Sequence, residues 1–79
     1  MEQKIKCNVV RNLCKISENN RGYTVEANLV SWNDAAPKLD IRQWSPDHIP
    51  CKGVTLTEAE GMLLYTTLKD YFKKEECEV

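Results

Sequence analysis

Two tryptophans, several cations and an amide fall at spacings that would let them share one surface. The densest stretch is KLDIRQWSPDH, Lys38 to His48. Its first seven residues alternate, so Leu39 and Ile41 point one way and Lys38, Asp40, Arg42 and Trp44 the other. The preceding YTVEANLVSW, Tyr23 to Trp32, alternates as well, with Asn28, Val30 and Trp32 sharing a parity. If the two segments pair with Leu29, Leu39 and Ile41 turned inward, then Asn28, Trp32, Lys38, Arg42 and Trp44 occupy the opposite, exposed face. Cations that track phosphates and flat rings that stack on unpaired bases are what single-stranded nucleic acid requires. Lys15 and Arg21 near the first turn would widen such a groove, as would Tyr23, although Tyr23 has the inward parity. Lys52, before Gly53, stands where the chain re-enters the sheet. A solvated or interface face, with Arg42 paired to Asp40 or Glu26, fits the same spacing.

Other chemistry is poorly supplied. Asp47 and His48 are adjacent, so neither orients the other well, and no nucleophile stands beside them. His48 reads as a loop residue and Asp47 as the cap of its turn. Cys7, Cys14, Cys51 and Cys77 contain no close pair of the kind that holds a metal, and His48 is the only histidine. Cys7 and Cys14 read as small strand residues and Cys77 as an exposed tail thiol. No phosphate loop, dinucleotide fingerprint or acid/base carboxylate pair is present. The expectation is a non-enzymatic protein with no metal and no cofactor.

At 79 residues the chain makes one domain, 1–79, with a core too small to be comfortable alone. Net charge is −1, which disfavours a nucleic-acid binder at first sight. The charge is unevenly placed, however: residues 1–56 carry eight basic and six acidic side chains, and residues 57–79 three and six. No apolar run reaches the roughly 20 residues of a membrane span, and the first residues lack the pattern of a targeting signal. A cytoplasmic protein without membrane contact is expected.

The positioning elements follow from local pattern. Lys4 to Ser17 alternates imperfectly, so a bulge or bend is expected at Arg11–Asn12, or else two short strands. ENNRG, 18–22, is a turn cluster, and NDAAP, 33–37, a hairpin connection. Lys38 to Trp44 is the third strand, SPDHIPCKG a loop, and Val54 to Leu56 a short fourth strand. Thr57 and Glu60 then form a capping box. The helix behind it is apolar over Ala59, Met62, Leu63, Leu64, Tyr65, Leu68, Tyr71 and Phe72, too wide an arc for one small sheet, which points to a second chain. KKEECEV, 73–79, reads as a fraying polar tail. The fold class is α+β: four antiparallel strands in a curved sheet, then one helix, assembled as a dimer.

Three pieces in order, NLVSWN, KLDIRQWSPDH and KGVTLTEAE, within residues 17–60, resemble the YdbC-like bacterial branch of the positive-cofactor-four transcriptional coactivator domain. The resemblance implies a curved four-stranded sheet with a C-terminal helix, a symmetric homodimer, and binding of single-stranded DNA with little sequence preference, in transcription or in replication and repair. RNA is left open as a second ligand. By position, Arg42 matches the family's DNA-contacting strand arginine, Lys52 the basic residue before the last strand's glycine, and Trp44 an aromatic on the arginine's strand. Eukaryotic members carry an aromatic flanked by basic residues in the hairpin before that strand; NDAAP has neither. The rival expectation is a protein-interaction module that uses the same sheet face.

Overall fold

The first strand repeats in threes. Strands normally present side chains with period two, but β1 (Cys7–Glu18) reads Val9-Val10-Arg11, Asn12-Leu13-Cys14, Lys15-Ile16-Ser17. It pairs antiparallel with β2 (Thr24–Trp32), and the register shifts between Val9 and Arg11, Asn12 and Cys14, and Lys15 and Ser17. Each shift leaves one residue unpaired, and these are Val10, Leu13 and Ile16. The bulges hold Val9, Asn12 and Lys15 opposite Val30, Asn28 and Glu26 on one face. They also increase the strand's twist. The irregularity expected at Arg11–Asn12 is therefore a pair of bulges flanking that dipeptide, in one continuous strand. The computed structural model describes residues 6–77, so the expected strand residues Lys4 and Ile5 lie outside the described residues, as does the Cys77 side chain.

Asn19 closes the first turn, its Oδ1 accepting from the amides of Arg21 and Tyr23, while Gly22 takes φ 87°. The hairpin NDAAP places Asn33 and Asp34 at φ 52° and 66°, a region that Asn and Asp tolerate. β3 (Lys38–Trp44) has the expected limits. β4 spans Pro50–Leu56 and begins four residues before the expected Val54. Proline is compatible with the first residue of a strand, so the loop shrinks to 45–49. Ser45, and not Asp47, organises that loop: its carbonyl accepts from the His48 amide and its hydroxyl from the Ile49 amide.

The sheet order is β1-β2-β3-β4, antiparallel throughout, and α1 (Glu58–Cys77) follows. The capping box forms as expected: the Thr57 amide donates to Glu60 Oε1 at 2.8 Å and the Glu60 amide to Thr57 Oγ1 at 3.2 Å. The helix continues to Cys77, through the segment expected to fray. It approaches the sheet at Gly61, where a β-carbon would stand 3.1 Å from Leu39 Cδ2. Beyond that point it projects away. The radius of gyration is 15.1 Å, against about 12 Å for a compact domain of this length. The accessible surface is 6572 Å², against about 4900 Å² for a compact monomer of this mass.

The helix side of the sheet carries Val25, Ala27 and Leu29 against Gln43, Ile41 and Leu39, with Val54 and Leu56 beyond. All of these are at least partly exposed, and Val10, Leu13 and Ile16 are exposed on β1. So are the helix residues Met62, Leu63, Leu64, Tyr65, Leu68, Tyr71 and Phe72. Among the described residues the buried apolar side chains are Val30 and Trp44. Both sit on the other face.

Candidate nucleic-acid interface

The β2–β3 register brings the expected residues onto one face. Asn28 lies opposite Asp40, Glu26 opposite Arg42, Val30 opposite Lys38 and Thr24 opposite Trp44, while Trp32 faces Cys7 on β1. The grouping of Asn28, Trp32, Lys38, Arg42 and Trp44 therefore holds. Its exposure does not. Asn28, Val30 and Asp40 are 0% exposed and Trp44 is 1% exposed. The three bulges of β1 increase its twist beside this face, and the 45–49 loop covers Trp44. The Asn12 amide reaches across to donate to Asn28 Oδ1 at 2.6 Å and to Glu26 Oε1 at 3.2 Å.

Arg42 is the hub of what remains. Its Nε and Nη2 donate to the two Asp40 oxygens at 2.9 Å each, and Nη1 donates to the Cys51 carbonyl at 2.8 Å. Thr55 Oγ1 donates to the same Asp40 carboxylate at 2.7 Å. A planar guanidinium suits this two-pronged geometry, which an ammonium cannot reproduce. Its remaining face lies under the Trp32 indole, 4.9 Å from the ring centroid, a cation–π arrangement. Gly53 stands opposite Arg42 on β4 and leaves room for its backbone.

Burial pushes the Asp40 carboxyl up, yet the Arg42 and Thr55 hydrogen bonds, the Arg42 charge and the Trp32 side chain outweigh it and hold Asp40 below the usual carboxylate range. The Asp40 hydrogen bond raises Arg42 against the smaller opposing effect of burial. Burial, with Asp40 adding to it, pushes the Cys7 thiol up. Asp40 thus balances the Arg42 charge locally.

The other cations lie around this hub. Lys38 is exposed at one end of the face. Lys15 is exposed toward the other end, bridged to Glu18 at 2.7 Å, a contact that raises its pKa. Arg21 is exposed in the first turn, and Lys52 in the bulged stretch between the Arg42–Gly53 and Trp44–Pro50 pairs. Trp44 stacks on His48, centroids 4.8 Å apart at 20°, so the loop histidine acts as a lid on the buried indole.

A scan against protein-family models finds no match. Over 57 residues the chain is 47% identical to an uncharacterized protein of Treponema pallidum (strain Nichols), covering 71% of this chain and 67% of the treponemal one. The two proteins belong to one family. That membership carries no activity with it, so the family's chemistry has to be read from side chains.

Two members of the network went unforeseen. Asn12 was hidden by the bulges, which move it onto the face of Asn28 in defiance of simple alternation. Thr55 lies inside the expected Val54–Leu56 strand, but its place opposite Asp40 depends on the β3–β4 register, which local pattern does not give. Asp40 was one of the two partners the spacing allowed for Arg42, and the structure takes it in place of Glu26. Asn28 Nδ2 and the Trp32 and Trp44 indole nitrogens are buried without a hydrogen-bond partner.

Proposed function

We propose that this protein is a homodimeric, non-enzymatic, cytoplasmic module that holds single-stranded DNA along the curled sheet face, with little sequence preference. The observation that carries this reading is the half-buried Trp32 backed by Arg42, with exposed Lys38 diagonally across on the neighbouring strand. An indole held in place with a free cation at its side offers a base a ring to stack on and its phosphate a counter-charge. Lys15, Arg21 and Lys52 extend the positive rim. The resemblance of residues 17–60 to the positive-cofactor-four domain supports the same reading, and with it a role in transcription or in replication and repair.

The homodimer is supported by what the protomer leaves uncovered. Its surface exceeds that of a compact monomer by about 1700 Å². A standard interface takes about 800 Å² from each partner. The apolar helix and the apolar side of the sheet are both open, and a second copy would cover them in a symmetric exchange.

Titration with oligo(dT), duplex DNA and single-stranded RNA at low and high salt tests this reading. The expected result is quenching of tryptophan fluorescence by the single strand, with affinity falling as salt rises and duplex binding weaker. A single strand that neither quenches nor is retained at low salt would sink the proposal. The protein-interaction module would then stand. The compensation of Arg42 by Asp40 is the observation that favours it.

A further inference from the structure

We infer that Arg42 is a positioning residue, clamped by Asp40 so as to hold the Trp32 indole as the stacking platform, and not a phosphate contact. This inference rests on the proposed single-strand binding and assigns roles within that site.

A phosphate-binding arginine needs donors free to turn toward the ligand. Here three of the five N–H groups already donate, two to the Asp40 carboxylate and one to the Cys51 carbonyl, which fixes the plane of the guanidinium and leaves one N–H on each terminal nitrogen. The carboxylate is itself fixed by Thr55 Oγ1 and is fully buried. The Arg42 side chain is only 14% exposed. Withdrawing it toward a phosphate would leave Asp40 as an unpaired buried charge, a penalty larger than one phosphate ion pair at the surface could offset. The two remaining N–H groups of Arg42 cannot turn toward a ligand without breaking this clamp, and one flat face of the guanidinium is taken by Trp32.

Trp32 is fixed from its other neighbour too. Asn33, the next residue, accepts the Lys6 amide at its Oδ1 and donates its own amide to the Lys6 carbonyl. A ring held between a locked turn and a locked guanidinium has little rotamer entropy left to lose on binding. Trp44 has no comparable outward role, being sealed under His48. The platform is therefore Trp32, and the phosphate charge falls to the exposed Lys38.

Asp40→Asn and Arg42→Lys discriminate the two roles, with Lys38→Ala as the reference for a true phosphate contact. Loss of a stacking base interaction corresponds to roughly a tenfold loss of affinity. We expect Asp40→Asn and Arg42→Lys each to weaken oligo(dT) binding by about that factor with the parental salt slope, while Lys38→Ala reduces the slope. Both clamp variants should also raise the acrylamide quenching of Trp32 in the free protein, read as the difference from Trp32→Phe. If Asp40→Asn, which would release Arg42, binds as well as or better than the parent, the inference is overturned. Parental affinity in Arg42→Lys overturns it as well. Should Asp40→Asn fail to fold, Thr55→Val loosens the same carboxylate and must shift binding and quenching in the same directions. Should the parent not bind oligo(dT) at all, the functional proposal fails by itself. The clamp is then judged by quenching in Arg42→Lys, and unchanged Trp32 accessibility overturns it.

Discussion

Gly53 stands directly across the β3–β4 ladder from Arg42, and a β-carbon on it would overlap Arg42 Cβ and lie 2.6 Å from Arg42 Cα. No side-chain rotation relieves a clash with backbone. Gly53→Ala must therefore part the two strands at the point where Arg42 reaches the Cys51 carbonyl. We expect a loss of about 3 kcal/mol, the upper range for overpacking, measured by urea denaturation. A change below about 0.5 kcal/mol, ordinary for a surface site, would show that β4 does not pack this closely.

The Asp40–Arg42 pair should behave as a unit. Either residue changed to alanine leaves a buried charge or a buried fork unpaired, costing about 3–5 kcal/mol. Removing both should cost far less than the sum. Additivity in the double-mutant cycle would contradict the observed pairing.

Acid should weaken the fold through Asp40. Its carboxyl is held below the usual range in the folded protein, so the ionised form favours folding. The stabilisation is complete above the unfolded value of about 3.9 and is lost as pH falls through the lower folded value. Denaturation midpoints followed from about pH 6 to about pH 2 should fall more steeply for the parent than for Asp40→Asn. Parallel curves would assign the acid sensitivity to other carboxylates.

The two tryptophans should separate cleanly. Trp44 is 1% exposed, and Trp44→Ala should cost about 3–5 kcal/mol of stability. Trp32→Ala should cost less and act mainly on ligand binding. Thermal melts with near-ultraviolet dichroism distinguish these outcomes, and equal stability losses would contradict the difference in burial.

Leu68 and Phe72 are 43% and 56% exposed on α1. In an isolated protomer Leu68→Glu and Phe72→Glu would change stability by no more than about 0.5 kcal/mol. In the proposed homodimer they would convert a species of twice 9.1 kDa into one of 9.1 kDa. Sedimentation of the parent at the monomer mass would remove the homodimer from the proposal.

Strand order, the β3 limits and the capping box were legible because each rests on local rules: alternation, turn chemistry and the Thr57–Glu60 spacing. The sharing of one face by Asn28, Trp32, Lys38, Arg42 and Trp44 was legible for the same reason. Which face would be buried was not. Alternation says which side chains travel together, but which face is covered depends on the bulges at Val10, Leu13 and Ile16, which set Asn12 over Asn28, and on the loop that sets His48 over Trp44. Composition alone puts a polar face on the outside, because hydrophobic residues usually mark the inside. Here Asn12, Asp40, Arg42 and Thr55 satisfy one another on the polar face, while Asn28 Nδ2 and the two indole nitrogens stay unpartnered, and the apolar face is left open.

The three-residue rhythm of β1 has a consequence for how the chain can go wrong. An ordinary strand displaced by two positions puts every side chain back on its proper face. In β1 the same is true of a displacement by three, since Val9, Asn12 and Lys15 would simply exchange places, as would Val10, Leu13 and Ile16. The face a side chain takes cannot tell the correct alignment from one slipped by a whole repeat. What distinguishes them is which residues meet: Val9 with Val30, Lys15 with Glu26 and, between them, Asn12 donating to Asn28 at 2.6 Å. Asn12 is the index mark of an otherwise repeating ruler.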